Sequence, residues 1–89
     1  MKKLVGNSGY LAYEVDRVEL TLLRSPGMCD TCSQRPFRGY LVPVLNQFLC
    51  CECYKEFESF IKYYESDIPI ERKNAAYYEK MIPMEVQDV

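Results

Sequence analysis

Apolar side chains recur at helical spacing in the second half of the chain. Cys50, Tyr54 and Phe57 are four and three residues apart, and Ile61 and Tyr64 continue the same row. This 3.6-residue period predicts an amphipathic helix of about four turns. The charged face of that helix would consist of Glu52, Lys55, Glu56, Glu58 and Lys62.

A second helix is predicted after the break at Asp67-Ile68-Pro69. Asp67 is suited to the N-cap position, and a proline is tolerated in the first turn that follows. The helix should stop before Pro83, and the final residues MEVQDV should form a short extended tail. The side chains expected to reach the core are Ile70, Tyr77, Tyr78 and Met81.

The pattern over residues 13–24 is compatible with two structures. Apolar residues between positions 11 and 22 recur at helical spacing, and Asp16 with Glu19 forms a candidate capping box. Residues 18–22 also alternate between apolar and polar, which suits a strand. We favour a short helix, ended by the Ser-Pro-Gly run that follows. The glycine-rich residues before it are expected to form a loose arm or a turn.

The segment YLVPVL, residues 40–45, is β-branched and apolar and predicts a strand. Because proline cannot donate to a ladder, Pro43 predicts an edge strand or one that breaks at this residue. Asn46-Gln47 is a candidate hairpin turn, and Phe48-Leu49 would begin the return strand. The middle of the chain therefore predicts a small antiparallel hairpin.

The length of 89 residues predicts one small domain. We divide it into an N-terminal segment (1–27), a central region (28–65) and a C-terminal helix and tail (66–89). A hydrophobic content of 48% and a charged content of 27% are ordinary for a globular domain. Apolar packing alone stabilises a chain of this size weakly, so a metal, disulfides or a partner subunit would be a common addition.

The use of cysteine indicates a reducing compartment. No apolar run is long enough for a signal peptide or a membrane span, so we expect a cytoplasmic protein with reduced thiols. The odd count of five cysteines also fits a disulfide framework poorly. Clustered cysteines in such a protein point to metal binding or catalysis.

Four of the cysteines have the spacing of a zinc site. Cys29 and Cys32 are separated by two residues, seventeen residues follow, and Cys50 and Cys53 repeat the two-residue gap. Each pair would present two thiolates from one tight turn, and together they would complete a tetrahedron around one Zn²⁺. Four protein ligands leave no open position for water, so the zinc would be structural. Cys51 would face away from the metal as a small buried apolar residue.

The order of MCDTC, then YLVPVLNQFLC, then CCECYKEFESF resembles the treble-clef zinc finger over roughly residues 28–65. The resemblance implies an α+β fold in which Cys29 and Cys32 lie in a knuckle, followed by a β-hairpin. It places Cys50 and Cys53 at the N-terminus of the helix, with helical segments flanking the finger. The family often has glycine after the second knuckle cysteine, where this chain has Ser33. The alternative is a zinc ribbon, whose second pair lies in another knuckle.

Enzyme chemistry has little support in this sequence, so we expect no catalytic activity. The chain contains no histidine, no glycine-rich phosphate loop and no nucleophile motif. The formal net charge is −2, with a mildly basic first half and an acidic second half. This balance lacks the strongly basic footprint of a nucleic-acid binder, and no segment suggests membrane binding.

Candidate partner-binding residues are exposed arginines and tyrosines. Arg35 and Arg38 lie between the two cysteine pairs and form a thin basic patch. Eight tyrosines are many for this length, and the doublets Tyr63-Tyr64 and Tyr77-Tyr78 cannot bury both members on one narrow face. Exposed tyrosines supply rigid contact area at protein interfaces, so we expect a protein partner or a homodimer.

These features predict a structural-zinc protein that acts as a protein–protein interaction module. Short single-domain proteins of this style suggest a bacterial or phage-encoded adaptor or inhibitor of the anti-defence or anti-CRISPR type. The alternative is a nucleic-acid-binding zinc finger with a role in transcription, which would use Arg35 and Arg38 on phosphates. Binding properties decide between the two hypotheses.

Overall fold

The computed structural model describes residues 1–84, which form a four-stranded antiparallel sheet with helices on both faces. The strands are β1 (Lys2–Val5), β2 (Leu11–Asp16), β3 (Arg38–Val42) and β4 (Gln47–Leu49), and they lie side by side in chain order. The helices are α1 (Arg17–Leu20), α2 (Cys51–Phe60) and α3 (Ile68–Met81). Two single 3₁₀ turns, Thr21–Leu23 and Glu65–Asp67, follow α1 and precede α3.

The N-terminal residues are a strand and not a loose arm. β1 pairs with β2 from Lys2 opposite Glu14 to Val5 opposite Leu11. The expected turn lies between these strands, where Gly9 has a φ of +98° that favours glycine. β1 is mostly exposed, and the strand forms because β2 supplies a full row of pairing groups.

β2 replaces the first part of the predicted short helix. Its register pairs Tyr13 with Leu41 of β3 on one side and with Lys3 of β1 on the other. The helix prediction is wrong for residues 13–16 because this strand bonds to neighbours on both sides. It is confirmed for residues 17–23, where α1 and the 3₁₀ turn lie.

The capping box predicted at the start of α1 is present. The Asp16 carboxylate accepts from the Glu19 amide at 2.8 Å, and the Glu19 carboxylate accepts from the Asp16 amide at 3.1 Å. These reciprocal bonds satisfy two amides at the helix start, so they fix the point where β2 turns into α1.

The predicted hairpin of residues 40–49 is confirmed, with its break at Pro43, but the turn lies at residues 43–46 and Gln47 already belongs to β4. β3 ends at Val42, and the turn closes through Asn46, whose φ is +53°. β3 is an inner strand between β2 and β4, so the break and not an edge position accommodates the proline. β4 is the edge strand on this side of the sheet.

Alternating side chains of the strands build two cores, one on each face of the sheet. Tyr13 and Val15 of β2 point to the face covered by α3, whereas Ala12 points to the face covered by α2. The core under α3 contains Met1, Tyr13, Val15, Leu20, Leu41, Phe48, Ala75, Tyr78 and Ile82. The core under α2 contains Tyr10, Ala12, Cys29, Val42, Leu49, Cys50, Tyr54 and Phe57. Two of the predicted metal ligands therefore belong to the second core.

α2 is shorter than predicted because a buried hydroxyl organises the segment after it. The helix ends at Phe60, and Ile61 is already extended. The Tyr10 hydroxyl accepts from the Tyr64 amide at 3.0 Å and donates to the Asp67 carboxylate at 2.6 Å. Asp67 occupies the N-cap position of α3 as predicted, but its side chain serves Tyr10 and makes no cap bond to the helix.

The buried face of α3 differs from the predicted one. Tyr78 is buried as expected, but Ile70, Tyr77 and Met81 are 52%, 47% and 40% exposed. The helix ends before Pro83 as predicted. The buried positions are Glu71, Ala75 and Tyr78, with Ile82 just beyond the helix.

Glu71 explains this rotation of α3. Its carboxylate is buried and accepts from the Leu11 amide of β2 at 3.0 Å, which turns the Glu71 side of the helix toward the sheet. The predicted extended tail lies outside the described residues, apart from Met84. Within residues 1–84, no helix has the length and apolar character needed to cross a membrane.

We predict that Tyr10→Phe lowers the free energy of unfolding by about 1–3 kcal/mol, because it leaves the Tyr64 amide and the Asp67 carboxylate without a buried partner. Urea denaturation of both proteins measures the difference. The matched control is Tyr64→Phe, whose ring is 56% exposed and whose change should stay within about 0.5 kcal/mol. Equal effects of the two substitutions would contradict the role of the Tyr10 hydroxyl.

We also predict that Glu79 makes stability depend on pH. The hydrogen bond from the Tyr13 hydroxyl is the main cause that lowers the pKa of Glu79 below its ordinary value of 4.5. Burial opposes it, and the contact with Lys3 adds a further lowering. A lowered pKa gives stability that is present above pH 4.5 and is lost as the pH falls through the folded-state value. Denaturation curves of the parent and Glu79→Gln should differ at neutral pH and converge in acid. A constant difference would contradict this linkage.

Candidate metal centre

The first cysteine pair lies in a tight loop closed by its own backbone. The Ser33 amide donates to the Cys29 carbonyl at 2.9 Å, and the Cys29 amide donates to the Gln34 carbonyl at 2.8 Å. Ser33 has a φ of +65°, in the left-handed region that glycine favours. This closed loop, residues 29–34, is called the knuckle below, and its conformation has some cost at Ser33.

Asp30 joins this loop to the edge of the sheet. Its amide donates to the Phe48 carbonyl at 2.9 Å, and its carboxylate accepts from the Phe48 amide at 2.9 Å. Both bonds use backbone groups that the edge strand β4 would otherwise expose. Because Cys50 follows Phe48 by two residues, the same contact brings the first cysteine pair next to the second.

The second cysteine pair lies at the start of α2. Cys50 is the N-cap residue, with extended backbone angles, and its carbonyl accepts from the Tyr54 amide at 2.9 Å. Cys53 follows in the first turn of the helix. The partial positive charge at a helix N-terminus stabilises thiolates there. At this pair the chain forms the start of a helix and not the second knuckle of a zinc ribbon.

The four sulfurs are arranged as one metal ion requires. The Sγ atoms of Cys29, Cys32, Cys50 and Cys53 all lie within 4.8 Å of one another, and those of Cys32 and Cys50 are 3.6 Å apart. Tetrahedral coordination with zinc–sulfur bonds of about 2.3 Å places sulfurs about 3.8 Å apart. A disulfide would need about 2.05 Å, and all five cysteines are free. The cluster therefore fits one tetrahedral metal ion.

Hydrogen bonds inside the cluster shift its thiol pKa values in opposite directions. Burial alone raises the pKa of Cys29, but bonds from the Cys32, Cys50 and Thr31 amides and from the Cys32 thiol outweigh it and lower the value to about 6. The pKa of Cys53 rises, first because of its hydrogen bond with Cys50 and then because of burial. The backbone around Cys29 thus favours a thiolate, which is the form that binds metal.

The cluster lies at the boundary between core and solvent. Cys29 and Cys50 are buried in the core under α2, whereas Cys32 is exposed and Cys53 is half-buried. A bound ion would therefore link the knuckle, β4 and α2 from the side of this core. With four protein ligands, it would have no open coordination position.

Cys51 differs from its predicted environment. The sequence suggested a buried apolar residue, but Cys51 is exposed on the first turn of α2. Its sulfur is not among the four that cluster, as expected. The residue is exposed because α2 presents Tyr54 and Phe57 to the core, and Cys51 lies on another side of the helix.

The predicted partner-binding arginines lie on the surface near α1. Arg35 and Arg38 are exposed, and the Arg38 guanidinium is 3.8 Å from the Glu14 carboxylate. The Arg17 guanidinium donates to the Arg35 carbonyl. Phe37, between the two arginines, is 53% exposed.

The predicted partner-binding tyrosines have different environments. Tyr63 and Tyr64 are both exposed, so this doublet buries neither ring fully, although Tyr63 packs against Tyr10 with ring centres 4.8 Å apart. In the other doublet Tyr77 is exposed, but Tyr78 is a core residue whose hydroxyl donates to Asn46 at 2.7 Å. Burial leaves Tyr78 little surface to offer a partner.

Comparison with known proteins gives no match to any family model, to curated proteins or to solved structures.

We predict that the purified protein contains about one metal ion per chain and that Cys29→Ser removes it and destabilises the domain severely, since metal binding and folding are coupled. Elemental analysis and thermal unfolding measure both effects. Cys51→Ser leaves the four-cysteine cluster intact, so it is the matched control and should retain the metal. Metal loss in the control, or a folded metal-free Cys29→Ser protein, would contradict the ligand assignment.

We predict that Asp30→Ala destabilises the metal-bound protein by about 1–3 kcal/mol, because the Phe48 amide loses its acceptor at the sheet edge. Asp30→Asn keeps an acceptor oxygen and should lose less. Chemical denaturation of the three metal-bound proteins measures the order of their stabilities. If the alanine variant is as stable as the parent, the bond to Phe48 does not hold the knuckle.

Proposed function

We propose that the four-cysteine cluster binds one structural Zn²⁺ in a treble-clef-like finger. The observation that carries this proposal is the convergence of four sulfurs within 4.8 Å, supplied by a knuckle and by a helix N-terminus. Four soft thiolate donors in tetrahedral geometry suit zinc among the common protein metals. The knuckle–hairpin–helix order supports the treble-clef interpretation over the ribbon.

The role of the ion would be to crosslink a small domain. It would join the two cysteine pairs, whose nearest members, Cys32 and Cys50, are eighteen positions apart, next to the core under α2. Zinc held by four cysteines polarises no substrate, so we propose no catalytic activity. Free thiols support a reducing, cytoplasmic setting for the protein.

We further propose that the protein acts by binding another protein. Several large apolar side chains are exposed and do not contribute to the core of the domain. They are Val18, Leu22, Phe37, Phe60, Tyr63, Tyr64, Ile70, Tyr77 and Met81. Aromatic side chains of this kind are enriched at protein interfaces. A bacterial or phage adaptor or inhibitor, including the anti-CRISPR type, is the role we propose from its size and style.

A nucleic-acid-binding finger is the second candidate function. The observation that favours it is the exposed cluster of Arg17, Arg35 and Arg38 around Phe37, next to the knuckle loop. An aromatic ring among arginines can stack on a base while the guanidinium groups contact phosphates. Against it, three arginines are few, and one of them faces the Glu14 carboxylate.

Salt dependence distinguishes the two functions. Binding to DNA or RNA should weaken steeply between about 50 and 200 mM salt and be lost in the double variant Arg35→Ala/Arg38→Ala. Binding to a protein through the apolar surface should change little with salt and survive that double variant. Affinity measurements on zinc-loaded protein with mixed-sequence DNA and RNA test this. Tight, salt-sensitive nucleic-acid binding lost in the double variant would overturn the protein-interaction proposal.

A further inference from the structure

A groove of 480 Å³ lies beside α3, over the end of the sheet formed by β3 and β4. Leu41, Phe48 and Tyr78 line it and are almost fully buried, so they form an apolar floor. Leu23 and Tyr77 also line it, and Tyr77 is 47% exposed. The volume falls within the range of about 300–1,000 Å³ that is usual for ligand pockets.

An apolar stripe on α3 continues this groove along the helix. Ile70, Tyr77 and Met81 are seven and four residues apart, which places them within about 40° of one another around the helix axis. All three are at least 40% exposed. The stripe repeats at the spacing of a buried face, yet the chain's own core uses the neighbouring face with Ala75 and Tyr78.

Lysines border the stripe on the side away from the core. Lys73 lines the groove, and Lys80 lies seven residues further along α3, on the same side of the helix. Both side chains are exposed. Asp30 also lines the groove, but its carboxylate is bonded to the Phe48 amide. The lysines therefore give the apolar surface a positively charged edge along α3, whereas the groove itself contains the Asp30 carboxylate.

We propose that this surface, the α3 groove with the stripe of Ile70, Tyr77 and Met81, binds an acidic amphipathic helix of a partner protein. One large apolar side chain of that helix fills the groove, others pack on the stripe, and carboxylates face Lys73 and Lys80. A helix that lays its apolar face into a groove is a recurrent mode of peptide recognition. The proposal rests on the proposed interaction function and identifies the surface and the partner chemistry.

Charge favours this occupant over a second copy of the chain. If two copies paired α3 with α3 about a twofold axis, both copies would bring their own Lys73 and Lys80 to the same interface. Like charges at an interface weaken association. An acidic helix instead meets two ammonium groups at the border of its apolar contact.

The test is a selection of helical peptides from a random-sequence displayed library on zinc-loaded protein. The enriched peptides should have apolar residues at i, i+3 or i+4, and i+7, and should be net acidic. Their affinity should fall at least about tenfold with Tyr77→Ser, which removes a groove wall, and with Lys73→Glu, which reverses the border charge. Lys55→Glu is the matched control for Lys73→Glu, since Lys55 is exposed on α2 and lies outside the groove, and it should bind as the parent does. Tyr64→Ser tests the exposed tyrosine of the other doublet.

The zinc content and the circular dichroism spectrum of each variant are measured to check that it is folded. Lys73→Glu tests the surface even if Tyr77→Ser is unstable. The proposal is overturned if no peptide is enriched, if the enriched peptides are basic, or if their binding is insensitive to both α3 substitutions. Peptides that depend on Tyr64 would leave the interaction function standing and remove this surface from it. Dimerisation of the parent that Tyr77→Ser abolishes would assign the surface to a second copy and overturn the acidic-helix partner.

Discussion

Two cysteine pairs that are distant along the chain meet at one point because the knuckle is bonded to the edge of the sheet. The contact between Asp30 and Phe48 uses both backbone groups of an edge residue, and Cys50 begins α2 only two residues later. The position of the four sulfurs thus depends on β4, and β4 depends on the hairpin with β3. A metal ion at this point would hold the knuckle, the sheet edge and α2 together. In a domain of 89 residues, where apolar packing has a thin margin, such a crosslink would contribute strongly to stability.

The sheet separates this centre from the surface that we propose for binding. The cysteine cluster and α2 lie on one face, with Tyr54 and Phe57 beneath them, whereas α3 and its groove lie on the other. Asp30 and Phe48 connect the cysteine cluster to the groove. Asp30 holds the knuckle through its bond to Phe48, and both residues also line the groove. A change in the metal centre would therefore reach the groove through a single edge strand. A bound metal ion would thus act on the proposed binding surface through the structure alone, without contact with a partner.

Local patterns in the sequence predicted the elements whose causes are local. The two-residue cysteine gaps, the capping box of Asp16 and Glu19, and the hairpin broken at Pro43 all depend on residues close together in the chain. The strand at residues 11–16 was not predicted, because β1 and β3 supply its bonds from distant positions. The end of α2 at Phe60 likewise depends on the Tyr10 hydroxyl, which lies far upstream.

The orientation of α3 and the docking of the knuckle also depend on distant partners. The periodicity of α3 contains two apolar stripes, and long-range contacts such as the bond from the Leu11 amide to Glu71 decide which side faces the sheet. Asp30, directly after Cys29, is a residue type that often accepts backbone bonds in turns. Its partner, Phe48, is eighteen positions away and could not be read from the pattern.

X-ray absorption at the zinc edge tests the central claim most directly, because it reports the type, number and distance of the atoms around the metal. For the purified, zinc-loaded protein the account predicts four sulfur atoms at about 2.3 Å and no nitrogen or oxygen ligand. A shell that contains nitrogen or oxygen, or a sulfur count that is unchanged when Cys32 is replaced by serine, would contradict a single ion held by Cys29, Cys32, Cys50 and Cys53.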